Sequence, residues 1–119
     1  MLRQVARLAL LGLLLLACAC SSAPQPPPTN YASFNATKGQ WVIEVKGIDP
    51  TQTEKVRTAI EEVSGVEKGS ALVHPVGQYV AFRTTVSTSD GKAHGAVRSD
   101  VEKKLEGLGL KPGESKTCL

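Results

Sequence analysis

From Gln40 onward the apolar residues either alternate with their neighbours or return every three to four positions. Trp41-Val42-Ile43-Glu44-Val45-Lys46 sets Trp41, Ile43 and Val45 on one side of an extended chain, the two-residue period of a strand. Asp49-Pro50-Thr51-Gln52 then reads as a helix start, with Asp as N-cap, Pro at the first helical position and Gln three after the cap. Val56, Ala59, Ile60 and Val63 recur at helical spacing, and Gly65 predicts a left-handed cap. Ser70 to Val76 is rich in β-formers, with Pro75 marking an edge or irregular strand, and Gly77-Gln78 offers a tight connection. In Tyr79 to Val86, Val80, Phe82, Thr84 and Val86 oppose Tyr79, Ala81, Arg83 and Thr85. After a turn at Thr88-Ser89-Asp90-Gly91, Val97, Val101, Leu105 and Leu108 stripe a second helix that Gly107 and Gly109 end. Leu110 to Leu119 offers a short last strand, weakened by Pro112 and Gly113.

Strand, helix, strand, strand, helix and an optional strand make an α+β fold: a small ferredoxin-like βαββα(β) sandwich with both helices on one face of an antiparallel sheet. The expected domain spans 40–112, with 113–119 as a C-terminal tail. Its core is expected to rest on Trp41, Ile43, Val45, Ile60, Val63, Val80, Phe82, Val97, Val101 and Leu105. The helix-free sheet face carries Val42, Glu44, Tyr79, Ala81 and Arg83 and is the expected partner surface, with a sheet edge as the second choice.

The first twenty residues follow another rule. Arg3 and Arg7 give a basic start, and Leu8 to Ala17 is an unbroken apolar run of ten residues. That is half the ~20 residues a spanning helix needs, and small residues and cysteines follow, the anatomy of a secretory leader. Leu15-Leu16-Ala17-Cys18 resembles the lipobox of bacterial lipoproteins. The resemblance implies a diacylglyceryl thioether on Cys18, cleavage between Ala17 and Cys18, and acylation of the new N-terminus. A cut before Cys20 and a leader removed without lipid are the alternatives. Residues 1–17 are then signal peptide and 18–39 lipid anchor and tether, with Pro24, Pro26, Pro27 and Pro28 favouring an extended spacer over a ligand for a proline-binding partner. Asn35-Ala36-Thr37 matches a glycosylation sequon that has little meaning behind such a leader. Ala19, not Asp, follows the lipidated Cys. By the family's sorting rule this implies the outer membrane facing the periplasm, or the cell membrane of a host with only one.

A length of 119 residues excludes a multidomain enzyme, and a net charge of +3 falls to +1 once Arg3 and Arg7 leave with the leader. So weak a charge, with five aromatic residues, argues against a nucleic-acid partner. The expected partners are membrane lipid, through Cys18, and another envelope protein. Of three cysteines, Cys20 and Cys118 remain beside a lipidated Cys18. They pair with each other, or Cys118 bonds a partner or a second copy.

Val45-x-Gly47-Ile48 before the first loop and Ser64-Gly65-Val66 after the first helix resemble a heavy-metal-associated domain. Such domains hold soft metals through Cys-x-x-Cys in that loop, where this chain has Asp49-Pro50-Thr51-Gln52-Thr53, without thiol or imidazole. No metal and no cofactor is therefore expected. Trp41-Val42-Ile43-Glu44-Val45 and Tyr79-Val80-Ala81-Phe82-Arg83 are also similar to the paired strands of peptidoglycan-binding SPOR domains, although that family's loop residues are not reproduced. His74 and His94 have no carboxylate–nucleophile spacing around them and read as surface or capping residues. The expectation is a non-catalytic envelope lipoprotein whose domain binds another envelope component. Murein binding is the alternative. A small hydrolase or acyl-phosphate enzyme on the same fold, relying on Arg83 and Asn35, is a weaker one.

Overall fold

The computed structural model describes Pro27–Leu119. Four strands form one antiparallel sheet in the order β2-β3-β1-β4: β1 Gln40–Lys46, β2 Leu72–His74, β3 Tyr79–Arg83 and β4 Lys111–Thr117. Helices α1 (Thr53–Glu61) and α2 (Gly91–Gly107) cover one face. This is the ferredoxin-like sandwich that the alternation and the two helical stripes predict.

The start of α1 is a variation on the expected cap. Asp49 Oδ1 accepts from Thr51 N–H and from the Thr51 hydroxyl, each at 2.9 Å, but the turn it caps is a 3-10 turn, Pro50–Gln52. The α-helix begins only at Thr53. Asp90 behaves as expected of such a residue, its Oδ1 accepting from Ala93 N–H at 3.0 Å at the head of α2. Gly65 does adopt the left-handed region (φ 95°), and a Cβ there would sit 2.6 Å from Val97 Cγ2, so the glycine also admits α2.

The other left-handed residue of interest is Gln78, at φ 54°. Its side chain explains why no glycine is needed. Oε1 accepts from Gly47 N–H (2.8 Å) and Ile48 N–H (3.2 Å), while Nε2 donates to the Ile48 and Pro75 carbonyls. One amide thus ties the β2–β3 turn to the loop leading into α1.

Nine of the ten expected core residues are buried among the helices, and Val63 packs against them half-exposed. Ile48, Val56, Val66, Val73 and Leu110 complete this cluster. Two expectations need correction. The supposed tail 113–119 is mostly strand: Thr117, Lys116 and Ser115 stand opposite Trp41, Val42 and Ile43, and a bulge between Ile43 and Val45 absorbs the glycine–proline irregularity. The domain also begins before Gln40, because residues Pro28 to Ala36, assigned to the tether, lie on the sheet.

Candidate functional site

The helix-free face was the expected binding surface, and its own chain occupies it. Val42, Tyr79 and Ala81 are all 0% exposed, while Glu44 and Arg83 are half-buried. The cover is a strap of residues 28–36. Tyr79 Oη donates to the Pro28 carbonyl at 2.6 Å. Asn30 Oδ1 accepts from Ser33 N–H at 2.8 Å, capping a 3-10 turn, Tyr31–Ser33. Lys116 Nζ donates to the Tyr31 carbonyl at 2.7 Å and lies 4.4 Å from the centre of the Tyr31 ring. Phe34 meets Tyr79 edge-on, with ring centres 5.4 Å apart. A Cβ on Gly77 would come within 2.6 Å of the Thr29 carbonyl and 2.8 Å of the Tyr79 ring, so the strap's close approach requires glycine at that point. Arg83 holds the link from the strap to β1, donating to the Lys38 carbonyl (2.7 Å) and Thr37 Oγ1 (2.8 Å).

Burial has the electrostatic effect it should. The Tyr79 hydroxyl is pushed above the usual phenolic range by desolvation. Tyr31 moves the same way, by desolvation first and then by the charges of Glu114 and Glu44. Lys116 is lowered by desolvation.

On the helix side, His94 is the residue that the sequence reading missed. It is neither a surface group nor a cap but 1% exposed. Its ring stacks on Trp41 at 4.9 Å, and Trp41 Nε1 donates to the His94 carbonyl at 3.0 Å. Thr117 Oγ1 donates to the Gln40 carbonyl at 2.6 Å, so it accepts from His94 Nε2–H at 2.7 Å. Nδ1 is then left to accept from the Thr84 hydroxyl at 3.0 Å. This chain of bonds fits a neutral imidazole, and desolvation lowers the His94 pKa accordingly. It joins α2 to the ends of β3 and β4. The sequence did carry a signal: His94 stands three residues before Val97, on the same helical stripe. His74 accepts from Gly77 N–H through Nδ1 at 2.8 Å and stacks on Tyr79 at 4.9 Å, so it supports the β2–β3 turn.

The remaining expected chemistry is dispersed. Cys118 is disulfide-bonded, and its carbonyl accepts from Gly39 N–H at 2.8 Å. Cys18 and Cys20 lie outside the described residues. Asn35 is exposed on the strap, while Arg83 is committed to Lys38 and Thr37. In the loop from Asp49 to Thr53, the one carboxyl group caps the turn, and the two bonds from Thr51 hold it below the usual carboxylate range. Among the described residues no three His, Cys, Asp or Glu side chains gather as metal ligands would, and no helix is long and apolar enough to cross a membrane. A shallow groove of about 480 Å³ runs between the helices, with Ala59 and Leu108 among Glu54, Lys55, Glu62 and Lys104.

No protein-family model and no curated protein matches the chain. Among solved structures it resembles the solution structure of the N-terminal domain of ZntA in its Zn(II) form, with a TM-score of 0.52 and 17% identity over 67% of this chain and 94% of that one. At that identity the likeness is one of fold. The chain therefore shares the ferredoxin-like fold with that domain, and carries Asp49-Pro50-Thr51-Gln52-Thr53 in its first loop.

Proposed function

We propose that this protein is an envelope lipoprotein, anchored through an acylated Cys18 and carrying a non-catalytic ferredoxin-like domain that binds another envelope protein. The observation that carries the reading is Leu15-Leu16-Ala17-Cys18 at the close of a ten-residue apolar run behind Arg3 and Arg7. Each buried methylene contributes about 0.8 kcal/mol, so three acyl chains make release from a bilayer negligible. Outer-membrane placement follows from Ala19.

The strap changes what this anchor does. Pro28 is already bonded to the sheet through Tyr79. The link between anchor and strap is then not residues 18–39 but the nine steps from Cys18 to Pro27, which reach about 30 Å at most. The domain sits close to the lipid surface. Acylation at Cys18 leaves Cys20 as the thiol for Cys118, which draws the end of β4 toward the anchor. With the sheet face strapped, the groove around Ala59 and Leu108 is the surface offered to the partner protein.

Intact-mass analysis of the protein from host membranes tests the anchor. The expected species begins at Cys18 and carries the added mass of thioether-linked diacylglycerol and an amide-linked acyl chain. Cys18→Ser should leave the chain unacylated. A soluble native protein that begins elsewhere and carries no hydrocarbon ends the proposal. Crosslinking in intact cells addresses the partner, and Leu108→Asp should remove the adduct if the groove receives it.

A further inference from the structure

The sheet has two unlike edges. β2 is three residues long and gives way to Pro75, whereas β4 extends over seven residues and, among the described residues, has β1 on one side only. The ladder determines where the backbone groups of β4 point. Val45 N–H reaches the Gln78 carbonyl at 2.9 Å and Thr84 N–H reaches the Gly39 carbonyl at 3.1 Å. Odd-numbered residues of β1 thus direct their backbone groups at β3, and even-numbered ones direct theirs at β4. Val42 stands opposite Lys116, so Lys116 directs its backbone groups at β1. Ser115 and Thr117, on either side of it, direct theirs outward. Pro112 has no N–H to satisfy.

We propose that β4 pairs with β4 of a second copy, antiparallel about a two-fold axis at Ser115, joining two four-stranded sheets into one. In this register Ser115 exchanges both backbone bonds with its counterpart. Thr117 meets Gly113 of the second copy, and Glu114 stands directly beside Lys116 of the second copy. Opposed strand neighbours lie about 4.5–5.5 Å apart and interact when their charges are opposite. Shifting the axis by one residue sets Glu114 against Glu114 or Lys116 against Lys116, like charges that oppose pairing. Charge thus favours the axis at Ser115 over either of its neighbours.

Charged residues usually keep such edges apart, but here the two signs alternate and match across the axis. Lys116 has capacity for the contact. Its ammonium gives one N–H to the Tyr31 carbonyl at 2.7 Å and another, more distantly, to Ala32 at 3.4 Å, which leaves a third for a carboxylate. The pairing uses only residues of the folded domain and does not depend on the lipid anchor.

The test uses the full chain, in host membranes and purified in detergent, as a mixture of ¹⁴N- and ¹⁵N-labelled copies treated with a zero-length carbodiimide. The expected product is a mixed-isotope isopeptide between Glu114 and Lys116. Glu114→Lys, which leaves the Lys116 bond to Tyr31 in place, should lower dimer association roughly tenfold by setting like charges across both pairs. Ser115→Pro should abolish the dimer with unchanged far-UV circular dichroism, because the lost N–H faces away from β1. Should that variant misfold, Glu114→Lys still decides the matter. A monomer at every concentration, crosslinks confined to single-isotope species, or a dimer indifferent to Glu114→Lys overturns the proposal. So does an edge that captures only an extended segment of another protein.

Discussion

The two faces of this sheet are both dry, but they are covered by different means. On one, α1 and α2 bring regular stripes (Val56, Ala59 and Ile60; Val97, Val101 and Leu105) onto Ile43, Val45, Val80 and Phe82. On the other, a strap of about nine residues lays Tyr31, Phe34 and Ala36 over Val42, Tyr79 and Ala81, with one short 3-10 turn and no helix. The helical cover rests on apolar area spread over many side chains. The strap rests on a few particular bonds, Tyr79 to Pro28 and Lys116 to Tyr31, with Arg83 fixing the link to β1 through Lys38 and Thr37. One cover fails only with the fold. The other can fail by itself.

The largest effect is expected on the helical side. Val80 is fully buried beneath both helices. Val80→Asp places a carboxylate there with no partner, which costs about 3–5 kcal/mol or more and is comparable to the whole stability of a small domain. Loss of the cooperative thermal transition by circular dichroism is the expected result. An unchanged melting curve would remove Val80 from the core and break the contrast between the faces.

The same contrast explains what the sequence made legible. Two-residue alternation in Trp41–Lys46 and Tyr79–Arg83 and the 3.6-residue stripe of each helix are local patterns, so strand and helix identity and nine of ten core residues followed from them. The covering of Val42, Tyr79 and Ala81 had no such pattern. Pro28, Tyr31, Phe34 and Ala36 are irregularly spaced among Ser, Asn and Thr, a composition that reads as spacer. What keeps them down is non-local, since Tyr79 lies 51 residues from Pro28 and Lys116 lies 85 from Tyr31. β4 was under-read for a related reason: its own residues, Lys-Pro-Gly-Glu-Ser-Lys-Thr, have weak strand character, and the ladder with β1 overrides it. His94 escapes a purely apolar pattern because an imidazole, not a hydrocarbon, holds that position of the buried stripe.

A middle-sized effect should separate the strap from the fold. Gly77→Ala drives a methyl group into the Thr29 carbonyl and the Tyr79 ring while leaving the helical core untouched. We expect a cost of ~1–3 kcal/mol, as for other overpacked sites. The strap should lift, with faster proteolysis within residues 28–36 and a two-state melt retained at lower temperature. Equal protease resistance in Gly77→Ala and wild type would mean that the strap accommodates the methyl group and is no separate unit.

The smallest effects, and the most diagnostic, come from pH, because each face carries its own buried titratable group. His94 is neutral in the fold and its pKa is lowered by burial, so the unfolded chain takes up a proton first as pH falls. Stability is full above the unfolded value of about 6.5 and declines below it, until His94 itself protonates. At that point Nδ1–H needs an acceptor, and the Thr84 hydroxyl must turn toward the Gly39 carbonyl, 3.5 Å away. Tyr79 has the opposite sense. Its folded pKa is raised, so stability is full below the unfolded value of about 10 and declines above it as the unfolded phenol ionises first. Acid should therefore loosen the helix side, reported by Trp41, which stacks on His94, and alkali should loosen the strap, reported by tyrosine absorbance. His94→Gln should flatten the acid limb alone, and Tyr79→Phe should remove its share of the alkaline limb alone, leaving the decline from Tyr31 and the opposing rise from Lys116, whose pKa burial lowers. If either variant flattened both limbs, the two faces would be one cooperative unit, and the distinction between a cover made of helices and a cover made of a few bonds would fall with it.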